Sequence, residues 1–177
     1  MSILRFFGFG GEESAPAESG STETVRKIVN ELDQMPPEEA RFLAAFAFLL
    51  SRVANADLDI SSDETDAMEK LVVEEGGLRR EQAVIVVQIA KSQNLLFGGT
   101  EDYLVSKEFA KVASKEDKQR LLRCLFAVGA ADESISTAED NVVRQIAEEL
   151  NLEHADFIAV RSEFRDRLAV LQKPKDD

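Results

Sequence analysis

A fifteen-residue stretch of the chain occurs twice, 75 residues apart. The first copy, residues 50–64, is LSRVANADLDISSDE, and the second, residues 125–139, is LFAVGAADESISTAE. Seven of the fifteen positions are identical: Leu50/Leu125, Val53/Val128, Ala56/Ala131, Asp57/Asp132, Ile60/Ile135, Ser61/Ser136 and Glu64/Glu139. In each copy an apolar helix runs up to an Asp, stops for about four residues, and a new helix begins at a Ser with a Glu three positions later. An internal repeat of this kind predicts a duplicated architecture.

Helical periodicity extends on both sides of the two breaks. Apolar residues recur every three or four positions from Val25 onward, and the stretch FLAAFAFLL at 42–50 is apolar on every side, which is typical of a central helix. The β-branched run 84–87 is assigned to a helix because the apolar pattern continues through Lys91 without a turn signal. The predicted helices span about 25–35, 37–56, 61–75, 79–94, a shorter one up to Val112, 115–131, one closing at Asn151, and 153–172.

These helices predict an all-α fold of seven to eight helices. Two similar halves are expected to pack around a central pair of apolar helices, 37–56 and 115–131. The predicted organisation is a flexible leader with an apolar tip (1–22), a single helical domain (23–173, with halves at about 36–95 and 100–172) and a polar tail (174–177).

The charge of the chain is strongly negative. There are 34 acidic and 21 basic residues, which gives a formal net charge of −13. Such a surface repels phosphate backbones, so no nucleic-acid partner is expected, whereas it attracts cations or a basic partner. The single cysteine, Cys124, cannot form an internal disulfide, and a cytoplasmic location is expected.

The N-terminal residues Ile3–Phe9 are rich in apolar side chains. The cluster is too short to span a membrane and lacks a small-residue cleavage site, so we do not interpret it as a signal peptide. Two alternatives remain: the tip docks on the domain itself or stays disordered, or it docks on a partner protein or on a membrane surface.

Capping explains part of each repeated break. Ser61 with Glu64, and Ser136 with Glu139, form capping boxes in which the Ser hydroxyl accepts from the amide of the Glu, and the Glu carboxylate accepts from the amide of the Ser. Capping does not explain Asp57 and Asp132, because each follows the C-terminal turn of a helix, where the helix dipole disfavours a carboxylate. Either backbone amides of the turn or a bound cation would offset that charge.

Carboxylate oxygens suited to a hard cation surround both breaks. They belong to Asp57, Asp59, Asp63 and Glu64 in the first copy and to Asp132, Glu133, Glu139 and Asp140 in the second. Calcium, magnesium or manganese would accept such ligands, whereas zinc prefers His or Cys. The spacing excludes an EF-hand, because Ser62 and Thr137 occupy the loop position that requires glycine.

The repeated pattern Ala-Asp-x-x-Ile-x-x-x-Glu, present as ADLDISSDE and ADESISTAE, resembles the TerB-like domain family of bacterial tellurite-resistance proteins. The resemblance covers about residues 25–172. It implies an all-helical fold of two similar halves, a cytoplasmic or membrane-associated setting, and divalent-metal binding by the acids at matching positions, Asp57, Glu64, Asp132 and Glu139, with Asp59 as a weaker candidate. The chain differs from the family's usual Ala-Asp-Gly, because Leu58 and Glu133 stand where glycine is common.

The sequence offers little enzymatic chemistry. Its one His, His154, and its one Cys, Cys124, fall on different predicted helices, with His154 expected at the surface and Cys124 in the core. We therefore expect a non-enzymatic protein and retain two hypotheses for its function. The first is a divalent-cation-binding domain with a stress-related role. The second is a metal-free module that contacts a protein partner or a membrane through its acidic surface and apolar N-terminus.

Overall fold

The computed structural model describes residues 19–54, 62–96, 102–132 and 134–172. These ranges contain eight helices, and apart from one isolated β-bridge they contain no β-structure. The helices are α1 (Ser19–Asp33), α2 (Pro37–Ala54), α3 (Ser62–Glu74), α4 (Arg80–Leu96), α5 (Asp102–Val112), α6 (Lys115–Gly129), α7 (Thr137–Glu149) and α8 (His154–Glu163). The predicted all-α fold is confirmed, including the helical assignment of residues 84–87.

Helix α2 lies at the centre of the domain, as its apolar sequence predicted. It contacts α1, α4, α5, α6 and α7, and its side chains are buried on all sides. Phe46, Leu49 and Leu50 are almost completely enclosed, and the ring of Phe42 lies 5.1 Å from that of Phe109 on α5. A helix with no polar face is stable in water only when other helices surround it.

Helix α6 is the second central helix. It packs against α2, α3, α7 and α8, and its apolar face contributes Leu121, Leu125 and Phe126 to the core. The helix that follows each break packs on the central helix of the other half, so that α3 contacts α6 and α7 contacts α2. This exchange joins the two halves into one core.

Several predicted helix ends are confirmed. The Ser114 hydroxyl accepts from the Asp117 amide at 3.1 Å and caps α6. Gly77, with φ of 69°, follows the end of α3, and Asn151, with φ of 56°, follows α7. At Asn151 the amide donates to the Glu148 carbonyl and the next amide, of Leu152, donates to the Ala147 carbonyl, which is a Schellman end.

The prediction of one continuous helix over 153–172 is wrong. Helix α8 ends at Glu163, and the chain continues through two short 3-10 turns, Arg165–Arg167 and Ala169–Leu171. We call residues 164–172 the C-terminal strap. The strap leaves the helix because its backbone pairs with Ile135: the Ile135 amide donates to the Arg167 carbonyl at 2.7 Å, and the Ala169 amide donates to the Ile135 carbonyl at 2.9 Å. Leu168 is still buried by this route.

Other helix bounds differ by a few residues from the predictions. Helix α1 begins at Ser19, inside the predicted leader, and α6 ends at Gly129 with the 3-10 turn Ala130–Asp132 completing the predicted span. The remainder of the leader, with the apolar tip Ile3–Phe9, and the polar tail lie outside the described residues.

Candidate functional site

The structure describes the second acidic break more fully than the first. Asp57 and Asp59 lie outside the described residues, and so do the side chains of Glu64 and Asp132. The backbone of Glu64 is in the first turn of α3, and Asp132 is the last residue of the 3-10 turn that follows α6. Asp132 therefore lies just beyond a helix C-terminus, as predicted.

The capping box at the second break is confirmed. The Glu139 amide donates to the Ser136 hydroxyl at 3.2 Å, and the Ser136 amide donates to Glu139 Oε2 at 2.8 Å. Ile135 precedes the cap and is buried in the core, as expected of a residue that anchors the start of a helix. Capping therefore uses one of the two carboxylate oxygens of Glu139.

The second oxygen of Glu139 lies where the C-terminal ends of α2 and α6 meet. A β-carbon placed on Gly129 would be 3.7 Å from Glu139 Oε1 and also 3.7 Å from Val53 Cγ1. Val53 is in the last turn of α2, just before the first break, and Gly129 is the last residue of α6. No hydrogen-bond donor to Glu139 Oε1 occurs among the described residues. The two helix ends that precede the breaks thus converge beside a carboxylate oxygen.

Two helix C-termini and the Glu139 carboxylate bring negative charge to this junction. Each helix C-terminus carries about half a negative charge from aligned peptide dipoles. The last turn of α6 contains no basic residue, and the basic residue in the last turn of α2, Arg52, forms an ion pair with Glu149 of α7. A cation at the junction would lower the repulsion between the helix ends and Glu139.

The Arg52–Glu149 pair is the centre of a buried polar network. Arg52 Nη1 donates to Glu149 Oε2 at 2.7 Å and Nη2 donates to Oε1 at 3.3 Å, while their side chains are only 9% and 10% exposed. The fully buried Ser106 of α5 also donates to Glu149 Oε2, and Gln145 donates to Oε1 at 2.9 Å. The network therefore joins α2, α5 and α7.

Glu149 is held in its ionised form. Burial alone would raise the pKa of its carboxyl group, but the hydrogen bonds from Arg52 and Ser106 and the positive charge of Arg52 together lower it. The sequence interpretation missed this network. An arginine near the end of an otherwise apolar central helix was the available signal, because a buried guanidinium requires an anionic partner.

The C-terminal strap bonds directly to the second break. The parallel bridge between Ile135 and Leu168 satisfies the backbone amide and carbonyl of Ile135, three residues after Asp132. A single bridge leaves no periodic pattern in a sequence, so no local signal could have revealed it.

Cys124 and His154 occupy the environments that were expected. Cys124 is completely buried in α6, and burial, with a further contribution from the charge of Glu75, raises its pKa to about 12. His154 is exposed at the first residue of α8. A thiol with such a pKa carries almost no thiolate at neutral pH and is a poor nucleophile.

The junction contains one described carboxylate oxygen that is not used in capping. Oxygen atoms are the ligands that calcium and magnesium prefer, and Glu139 Oε1 supplies one beside the turn that ends at Asp132. Within 19–54, 62–96, 102–132 and 134–172, no group of three or more His, Cys, Asp or Glu side chains is arranged to hold a metal. A complete ligand set at the junction would therefore need the remaining break residues.

Comparison with known families gives a match. The family model described as "Tellurite resistance protein TerB" matches residues 42–162, which is more than half of the 177-residue chain. The chain belongs to the TerB family. The resemblance found in the repeated motifs is thereby confirmed, and both acidic breaks fall inside the matched region.

Comparisons with curated proteins and with solved structures gave no match. Among the helices described for this TerB-family chain, none combines the length and the hydropathy required to span a membrane.

Proposed function

We propose that this TerB-family chain binds a divalent cation, calcium, magnesium or manganese, at the junction of its two acidic breaks. Asp57, Glu64, Asp132 and Glu139 are the proposed ligands, with Asp59 as a weaker candidate. The protein would act without catalysis, in the cytoplasm, in a stress role related to tellurite resistance. The bound ion would neutralise the junction and hold the two breaks together.

The convergence of the two helix ends is the observation that supports this proposal. Val53 and Glu139 both approach Gly129, so the C-termini of α2 and α6 share one small region with a carboxylate. No basic residue occurs in the last turn of α6, so the helix itself supplies no positive side chain to balance the partial negative charge of its C-terminus. A hard cation with oxygen ligands would supply that charge.

Thermal melting of chelator-treated protein tests the proposal. The protein would be titrated separately with calcium, magnesium, manganese and zinc. A ligand at one hundred times its dissociation constant adds about 2.7 kcal/mol to the free energy of unfolding. For a domain of this size that corresponds to a rise in Tm of roughly 5 to 10 °C.

Two variants separate cation binding from capping and from general charge effects. Glu139→Gln keeps an oxygen for the Ser136 amide but removes the charge, and Asp57→Asn with Asp132→Asn removes the two unexplained acids. Both variants are expected to abolish the cation-dependent rise in Tm. Glu31→Gln with Glu148→Gln removes the same number of charges from exposed helix positions and is expected to retain it.

Failure of every ion to raise the Tm of the unaltered protein would contradict cation binding. The breaks would then be capping devices alone. In that case the second hypothesis, a metal-free module that binds a protein or membrane surface through the acidic surface and the apolar N-terminus, would be favoured.

A further inference from the structure

The C-terminal strap is attached to the domain by one side chain and one backbone position. Of residues 165–172, Leu168 alone is buried, whereas the apolar side chains of Val170 and Leu171 are 61% and 52% exposed. Among the described residues outside the strap, residues 165–172 hydrogen-bond only with Ile135, through two backbone bonds. A segment with so few buried contacts opens locally at a lower free energy than the core helices do.

The surface under the strap recognises an extended segment mainly through its backbone. Ile135 donates to the carbonyl of Arg167 and accepts from the amide of Ala169, so it pairs in parallel with the residues on either side of Leu168. The Leu168 side chain enters the same buried cluster as Ile135 and Phe126. We call this surface, made by the backbone of Ile135 and the apolar position that Leu168 fills, the strap site. Backbone pairing with one apolar pocket is how proteins bind extended peptides by strand addition.

The charge of the chain favours a basic occupant of the strap site. The strap carries two exposed arginines, Arg165 and Arg167, and one acid, Asp166, whereas the whole chain has a formal net charge of −13. A negative surface attracts basic segments and repels acidic ones. A segment from another protein with the same features would therefore be attracted in the same way.

We propose that the strap site is a docking site for an extended, basic segment of a partner protein that carries one branched apolar side chain, and that the strap blocks this site in the isolated chain. The ring of Phe164 stacks on that of Phe126 at 5.5 Å and anchors the start of the strap when the rest opens. The strap lowers the apparent affinity of the partner by the fraction of molecules in which the site is open. This inference goes beyond the proposed function and does not depend on cation binding.

Binding of a peptide supplied separately tests the proposal. The probe is a fluorescent synthetic peptide with the sequence of residues 164–172, FRDRLAVLQ. It would be titrated with the unaltered full-length protein and with the full-length Leu168→Asp variant, and anisotropy would give the Kd. A carboxylate is too costly to bury in the apolar position, so Leu168→Asp frees the strap site. We expect the variant to bind the peptide at least about tenfold more tightly than the unaltered protein does.

Three altered peptides identify the mode of binding. Ala169→Pro in the peptide removes the amide that donates to Ile135, and Leu168 already has the extended backbone, with φ of −72° and ψ of 116°, that a following proline requires. Leu168→Ala in the peptide removes the buried side chain. Each change is expected to raise the Kd at least about fivefold. Leu171→Ala alters an exposed side chain and is the control, with a Kd expected within about twofold of the original.

Several results would overturn the proposal. These are no binding of the peptide to Leu168→Asp, equal binding to both proteins, or equal Kd values for all four peptides. Concentration-dependent dimers of the unaltered protein in analytical ultracentrifugation, lost in Leu168→Asp, would assign the site to the strap of a second copy instead. If circular dichroism shows that Leu168→Asp does not fold, full-length Ala169→Pro replaces it, because that change weakens the strap by one hydrogen bond. A lower Kd than that of the unaltered protein then supports the proposal, and an unchanged Kd overturns it.

Discussion

In the first half of the chain the helix after the break, α3, packs on α6, whereas in the second half the corresponding helix, α7, packs on α2. The α2–α7 contact contains the buried Arg52–Glu149 pair. In the α3–α6 contact the position that matches Arg52 is Ala127, and the neighbouring Cys124 is buried. The two interfaces occupy equivalent places, yet Ala127 cannot form the ion pair that Arg52 forms in the other interface.

The halves also differ in how the last helix ends. Helix α4 continues from Arg80 to Leu96, while α8 stops at Glu163 and the C-terminal strap follows. The strap brings Leu168 into the core beside the second break. The ion pair and the strap are thus two restraints on the second half, and each can be removed separately.

Arg52→Ala tests the first restraint and should have the largest effect. The substitution leaves the buried Glu149 carboxylate without its main partner, and an uncompensated buried charge costs about 3 kcal/mol or more. The expected fall in Tm is roughly 6 to 12 °C for a domain of this size. Urea unfolding followed by circular dichroism measures the change in the free energy of unfolding.

The double variant Arg52→Met with Glu149→Met is the control for that prediction. Replacement of both charges by apolar side chains of similar length should recover most of the lost stability. If Arg52→Ala costs no more than the substitution of an exposed ion pair, such as Lys70 with Glu74, the network is not a restraint.

The same network predicts a dependence on pH. The folded pKa of Glu149 is lowered, so its contribution to stability is present above the ordinary Glu pKa of about 4.3 and is lost as the pH falls through the folded value. The stability difference between the unaltered protein and Glu149→Gln should therefore narrow below about pH 4. Urea midpoints measured from pH 7 to pH 3 test this, and a constant difference would contradict it.

Leu168→Ala tests the second restraint, the C-terminal strap, and Leu171→Ala is its control. Leu168 is 1% exposed and Leu171 is 52% exposed. Loss of the buried side chain should cost about 2 kcal/mol, whereas loss of the exposed one should cost less than about 0.5 kcal/mol. In a continuous helix the two residues would share a face, so similar costs in urea unfolding would favour the helix and contradict the strap.

Most of the fold could be predicted because it follows from local patterns. The all-apolar stretch 42–50 specified the central helix, and Pro36, Gly77 and Asn151 marked helix boundaries through backbone constraints that act within a few residues. The strap could not be predicted, since Leu168 fits a helical pattern as well as a 3-10 turn. The choice depends on pairing with Ile135, which is 33 positions away.

The candidate site was only partly predictable, for the same reason. Ser136 and Glu139 lie three positions apart, so their capping box was visible in the sequence. The approach of Val53 to Gly129, and of Arg52 to Glu149, joins residues far apart in the chain and depends on how α2, α6 and α7 pack. The local sequence pattern identified the residues that cap the helix, whereas tertiary packing determined which charged side chains come into contact.

Gly77→Ala and Asn151→Ala compare the helix ends of the two halves. Both residues have positive φ, which an alanine adopts at a cost of about 1.5 kcal/mol relative to glycine. Asparagine already tolerates this conformation less well than glycine, so Asn151→Ala should cost less than Gly77→Ala, by about 0.5 kcal/mol or more. Urea unfolding of both variants gives the ranking, and the reverse order would show that the side chain of Asn151 has a further role.

The smallest effects are expected at the cap of the second break, and they bear on its proposed function. Ser136→Ala removes the acceptor for the Glu139 amide and should cost about 1 kcal/mol. Glu139→Gln keeps an acceptor for the Ser136 amide and, in chelator, should change the stability by less than about 0.5 kcal/mol. Removing the charge from a crowded negative junction could even stabilise the cation-free protein, because repulsion from the helix ends is relieved. Urea unfolding in chelator measures the stability of both variants. If Glu139→Gln lowers the free energy of unfolding more than Ser136→Ala does, the carboxylate charge already has a favourable partner in the folded protein. No cation would then be needed there.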